Sequence, residues 1–274
     1  ALHRAAASWI ARLPTVLVVA AAFALWLCGP VAELLDYHDF ADQRRLLGIP
    51  HALNVLSNLG FALVGAWGLW RTGGLRAMPG LGRGARGYRL FLVAFTLTAL
   101  GSGWYHLDPD NARLFWDRLP IALASAGLVA AVQAETSPRI PPRDWTWLLA
   151  IAGAASVVWW AWTDRRGNGD LGPYLLVNLM PLLLIPLWQS IHGAPRADRH
   201  AFLLAIGLYA AAKVAELQDR QIHALLGFVS GHTLKHLLAT AAGAAIVVRL
   251  VQRLRLPVGA APAGHPREPE ARRA

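Results

Sequence analysis

The sequence predicts an all-α polytopic membrane helix bundle, a seven-helix core preceded by one extra N-terminal transmembrane helix. Three observations carry that expectation. Of the 274 residues, 55% are hydrophobic and 15% charged, whereas soluble domains carry about a quarter charged residues. The apolar residues gather into eight runs of about the 17–25 residues that cross a bilayer. Turn-rich segments separate the runs, and no soluble domain fits between them.

The first run, 14–35, follows Arg4 and Arg12. Arginines ahead of an apolar core also fit a signal peptide, but Cys28-Gly29-Pro30-Val31-Ala32 is a poor cleavage site, so an uncleaved helix is expected. The next runs lie at 51–70, 88–107 and 117–134, divided by Gly80-Leu81-Gly82-Arg83-Gly84 and by a short polar turn. Ser137-Pro138-Arg139-Ile140-Pro141-Pro142 then leads into 145–163, followed by 172–191, 200–217 and 229–251. The chain divides into an N-terminal tip and helix over 1–35, a core over 36–251, and a tail over 252–274. That tail, rich in Pro, Ala, Gly and Arg, reads as disordered, basic and cytoplasmic.

Basic residues sort between alternate loops. Arg4, Arg12, Arg71, Arg76, Arg83, Arg86 and Arg89 fall on one side, with Arg139, Arg143, Arg196, Arg199 and six arginines from Arg249 onward. The opposite side holds Arg44, Arg45, Arg113, Arg118, Arg165, Arg166, Lys213 and Arg220. The richer side is cytoplasmic by the positive-inside rule, so both termini are expected in the cytoplasm. The net charge of +10 is therefore an orientation signal, and no nucleic-acid partner is expected. Arginine so outnumbers lysine, with abundant alanine, that a GC-rich bacterial genome and an inner-membrane location are expected. A single cysteine, Cys28, excludes an internal disulfide and a cysteine-built metal site.

The last run contains His232-Thr233-Leu234-Lys235-His236. Histidines four apart share a helical face, a spacing that often holds zinc with a third ligand from elsewhere. Polar groups in a membrane span are costly and face a protein interior or a water-filled cavity. The third run ends in Ser102-Gly103-Trp104-Tyr105-His106, the fourth begins around Asp117, and the last starts on the same outer side. Three distant segments thus bring Ser102, His106, Asp117, His232 and His236 to one depth. Three imidazoles with a fourth position left to water form an open catalytic zinc site. Zinc polarises a carbonyl and lowers the pKa of its water toward about 7. Asp117 is placed to carry a proton, and Ser102 to orient the water or donate to a developing oxyanion.

Each residue alone has a plainer reading. His106 at a helix end is more often interfacial, Ser102 more often bonds its own helix, and Asp117 is favoured at a helix start by the dipole. Haem does not fit, because ligation of one haem iron from the same helix at i and i+4 is geometrically unsuitable.

The pattern resembles the alkaline ceramidase family, within the superfamily of seven-helix membrane hydrolases that includes the progestin and adipoQ receptors. That superfamily carries Ser-x-x-x-His, an aspartate, and His-x-x-x-His near the last helix. Here these read Ser102 to His106, Asp117, and His232 to His236. Asp117-Arg118-Leu119-Pro120 resembles the ceramidases' Asp-Glu-Leu-Pro, and Asn54-Val55-Leu56-Ser57-Asn58 their Asn-x-x-Ser-Asn. The resemblance spans about 36–250. It implies zinc on His106, His232 and His236, with Asp117 and Ser102 assisting hydrolysis of the amide of ceramide or another N-acyl lipid.

The family also precedes its first helix with an acidic calcium-binding segment. The comparable stretch runs from Asp36 to Arg44, where Asp39 and Asp42 offer hard oxygens for Ca2+. Arg44 and His51 stand where the family has ligands without positive charge, so a solvated acidic loop is favoured over a calcium site. The extra first helix lies outside the family pattern. Other functions remain open to the sequence: a receptor or sensor with a structural zinc, and a metal transporter. The transporter would need polar residues along several helices, whereas the inner halves here are mostly apolar.

Overall fold

The computed structural model describes residues 2–74, 78–136 and 145–255. They form helices throughout, and no strand occurs among the described residues. The helices are α1 (Leu2–Cys28), α2 (Ala52–Ser57), α3 (Leu59–Arg71), α4 (Ala85–Leu107), α5 (Asn111–Thr136), α6 (Thr146–Asp164), α7 (Gly172–Ile191), α8 (Arg196–Leu217), α9 (Asp219–Leu226) and α10 (Gly231–Arg255). Seven spans are long and apolar enough to cross a membrane, with α2 and α3 together making the first. α1 carries a shorter apolar stretch, Arg12–Cys28, and packs against α7.

Several boundaries differ from the expected ones. α1 stops at Cys28 and not near 35, because Pro30 disfavours helical backbone before it and has no N–H to continue the helix. α5 begins at Asn111, six residues before Asp117, so Asp117 sits in the second turn and not at the helix end. α10 runs on to Arg255, moving the core boundary beyond 251. The tail from 256 onward lies outside the described residues. The short helix α9 has no counterpart among the apolar runs, because it is polar and none of its residues is buried.

The core lies where α3, α4, α5, α8 and α10 meet, with Phe61, Phe91, Leu92, Phe95, Val247 and Leu250 packed together. α4 against α5 is the most extensive helix pair, followed by α8 against α10. The two helices carrying the histidines are thus each fixed to a long partner. At the bundle end away from the histidines, Tyr88 on α4 donates to Glu135 of α5 at 2.8 Å, and Arg253 of α10 pairs with the same carboxylate. Arg249 joins α10 to Asp198 of α8 at 2.6 Å.

At the histidine end, the segment between α1 and α2 crosses the bundle as a strap. Its start is pinned at Val31, whose N–H donates to Asp170 Oδ1 at 3.0 Å while its carbonyl accepts from Leu171 N at 2.8 Å. Burial works against ionisation of Asp170, but hydrogen bonds from Trp159, Gly172 and Val31 outweigh it and hold the carboxyl below the usual range. Further along, His38 bridges Tyr105 Oη and Asn111 Oδ1, both at 2.8 Å. Phe40 then reaches the histidines themselves.

Candidate metal centre

His106 lies in the last turn of α4, and His232 and His236 in the first two turns of α10; all three are buried. Their ring centroids form a nearly equilateral triangle with sides of 4.8, 4.9 and 4.9 Å. His106 Nε2 and His232 Nε2 are 3.2 Å apart, and one nitrogen from each ring lies within 4.8 Å of the others. Nitrogens held at roughly 2.0–2.1 Å by a tetrahedral ion stand roughly 3.3 Å from one another, close to the first of these separations. Among the described residues this is the one set of three or more His, Cys, Asp or Glu side chains with metal-ligand geometry.

Hydrogen bonding explains which nitrogen of His236 is available. Ser57 Oγ donates to Asn54 O at 3.1 Å, which uses its single proton. His236 Nδ1, 2.8 Å from the same oxygen, therefore carries the hydrogen and donates to it. Nε2 is left with a lone pair, buried and without a hydrogen-bond partner. A buried unpartnered nitrogen is costly, and a metal ion removes that cost. The donor set is chemically suited to zinc and also accepts other first-row ions.

Two close backbone approaches place the ligands. A Cβ on Gly231 would stand 2.1 Å from Ala215 O and 2.7 Å from Asp219 Cα, so α10 starts against the α8–α9 junction only because this residue is glycine. Asp219 Oδ1 then accepts from His232 N at 2.6 Å, satisfying a free N–H at the helix start. Its other oxygen accepts from Ala41 N at 2.8 Å, tying the strap to the same turn. Phe40 packs over His232 and His106 at centroid distances of 4.4 and 4.8 Å. His51 Nδ1 lies 3.0 Å from His106 O.

The second approach brings Ser102 to Asp117. Pro120 has no N–H, so the carbonyl of Trp116 loses its usual partner within α5. Gly101 sits against that carbonyl, where a Cβ would be only 2.0 Å from the oxygen. The next residue, Ser102, is buried, as is Asp117 on the facing helix. Ser102, Asp117 and His236 line one cavity of about 450 Å³, of the size that holds small organic ligands. Much of the rest of its wall is apolar, with Phe91, Phe95, Ile185, Phe202 and Ile246 among the lining residues.

The five residues singled out in the sequence thus form two groups, a histidine triad and a serine–aspartate pair, and His236 and the pair share the cavity. Asp117 is not the exposed helix-start carboxylate of the plainer reading. Arg118, beside it, is buried against Trp160 at 4.1 Å and pairs with Glu33 of the strap.

The acidic strap does not offer an open cation site. Arg44 binds Asp42 through Nε at 2.7 Å and Nη2 at 2.9 Å, and reaches Phe228 O as well. Burial opposes the charge on Asp42, but these donors and the Arg44 N–H hold its carboxyl below the usual carboxylate range. Asp39 is paired with Arg220. A guanidinium stands at each carboxylate that could offer oxygens to calcium, so the geometry gives the disfavoured Ca2+ reading no support.

Asp219, Glu33, Glu216 and Lys235 went unread in the sequence as parts of this end of the bundle, and Lys213 was read there only as a loop charge. The last three had a signal, being ionisable residues inside apolar runs. Asp219 had none, because an acidic residue in a short polar connection is commonplace. No family model, curated protein or solved structure matches the chain.

Proposed function

We propose that the protein is a zinc-dependent membrane hydrolase that cleaves the amide bond of an N-acyl lipid. The observation that carries this reading is a buried triad of imidazoles, one of which, His236, lines a long, largely apolar cavity together with the buried Ser102 and Asp117. A structural metal alone needs neither the acid–base pair nor the cavity.

The cavity extends from Ser102 to Phe91 along α4, eleven residues or about 16 Å of helix rise. That is roughly half of the ~30 Å hydrocarbon core, a depth suited to an acyl chain. α7 and α8 touch each other only sparsely although both line the cavity, which makes their seam the entrance from the bilayer. The head group then rests at the histidine end. By the positive-inside rule that end faces outward, away from the cytoplasm.

Zinc, when bound by His106, His232 and His236, polarises the amide carbonyl and makes water more acidic. Asp117 accepts one proton from the attacking water as the C–O bond forms, and delivers it to the amide nitrogen as the C–N bond breaks. The products are a fatty acid and a free amine, with one water consumed. Ser102, on the same cavity wall, is placed to orient the water or donate to the developing oxyanion.

Asp117→Asn keeps the size but does not accept a proton near neutral pH. We expect release of amine from an N-acyl lipid to fall by about 10²–10⁴-fold, with bound zinc unchanged on the same samples. Ser102→Ala is expected to do less damage, because it removes one hydrogen bond and leaves the proton carrier. Wild-type turnover in Asp117→Asn would remove Asp117 from the mechanism. Loss of the metal would make Asp117 structural and favour a receptor with a structural zinc.

A further inference from the structure

Lys213 and Glu216 on α8 and Lys235 on α10 form a charged group on the wall of the same cavity. Glu216 is shared: Lys213 Nζ lies 2.7 Å from one oxygen and Lys235 Nζ 3.1 Å from the other. Two ammonium groups therefore face a single carboxylate. Each ammonium has three N–H donors, and Glu216 is their one hydrogen-bond partner among the described residues.

The other charged groups of the cavity balance in number: Arg118 pairs with Glu33, and Asp117 is a second carboxylate on the wall that the lysines share. Neither lysine hydrogen-bonds Asp117 among the described residues, so their spare N–H donors stay unfilled. Lys213 is half exposed, whereas Lys235 is largely buried, where an unfilled donor is costly. Lys235 also lies between His232 and His236 in sequence, so its charge sits beside the triad.

We propose that Lys213 and Lys235 are a head-group subsite for a single carboxylate, and that the substrate is an N-acyl amino acid. This rests on the amidase reading above and adds the specificity. In such a lipid the carboxylate is two bonds from the amide nitrogen. It reaches the lysines while the amide faces the histidines and Asp117 and the acyl chain fills the apolar cavity. Glu216 holds the two ammoniums together between turnovers, and the incoming carboxylate takes the N–H donors that Glu216 leaves open.

The test compares three amides with the same acyl chain: N-oleoylglycine, the uncharged N-oleoylglycinamide, and N-oleoylethanolamine. Purified full-length protein is expected to show kcat/KM at least about tenfold higher for N-oleoylglycine, as charge-assisted hydrogen bonds to two ammoniums imply. That ratio should fall toward one in Lys213→Gln and Lys235→Gln and persist in Lys235→Arg, which keeps the charge. Equal cleavage of all three by the wild type overturns the subsite and leaves the amidase reading intact, as does a preference that survives both glutamine variants. Binding of N-oleoylglycine and N-oleoylglycinamide, measured by native mass spectrometry, separates the two readings. If none of the amides is cleaved, the amidase reading fails; the subsite then stands on tighter binding of N-oleoylglycine that both glutamine variants lose, and falls if the two bind alike.

Discussion

Ser57 decides how His236 meets a metal, and it does so with one hydroxyl proton. Because that proton goes to Asn54 O, the histidine must donate from Nδ1 and present Nε2. Outer partners of this kind orient ligands and raise their basicity. Ser57→Ala is therefore expected to weaken zinc affinity by about 10–100-fold, read by competition with a chromophoric chelator, without unfolding the bundle. Unchanged affinity would mean that the hydrogen bond does not set the ligand. The residues that gather at this end were legible in the sequence, because histidine, serine and aspartate stand out where the surrounding residues are apolar. Their supports were not. Asp219 and Ser57 act through partners 13 to 179 positions away, and periodicity carries no information about pairing at such separations.

At the scale of elements, two helix contacts hold the site, and each depends on the absence of a side chain. Gly101 admits the carbonyl that Pro120 frees, and Gly231 admits α10 to the α8–α9 junction. Gly101→Val would force α4 from α5 at the level of Ser102 and Asp117. We expect it to cost about 1–3 kcal/mol of stability and to suppress amide hydrolysis, while the histidine triad one turn further on keeps its metal. Thermal unfolding in detergent, with zinc measured in parallel, checks both parts; wild-type activity in this variant would show that the contact does not position Asp117. The spans were legible because long apolar runs leave few alternatives, and their lengths matched the bilayer. The ends were less so. Pro30 was passed over within an apolar run that continued past it, and α9 is too short and too polar on average to stand out as an apolar run.

For the whole molecule, the bundle gathers its chemistry at one end and its apolar cavity below it, with α5 and α10 entering from that end and α4 finishing there. The sequence anticipated this meeting from the direction of successive spans. It did not anticipate the strap, which closes over the histidines with Phe40 and replaces an open acidic site by arginine–carboxylate pairs. From the loop charges we propose that the C-terminus is cytoplasmic, and a fusion at Ala274 tests it: a cytoplasmic reporter should be active and a phosphatase that works only outside the cytoplasm inactive. The reverse result would turn the histidine end inward. The central claim is that three imidazoles from α4 and α10 hold one metal ion. Metal analysis of the purified protein tests it most directly, with wild type compared to the His232→Ala, His236→Ala double variant. We expect about one zinc per chain in the wild type and none in the double variant; full retention of the metal in that variant would contradict the site.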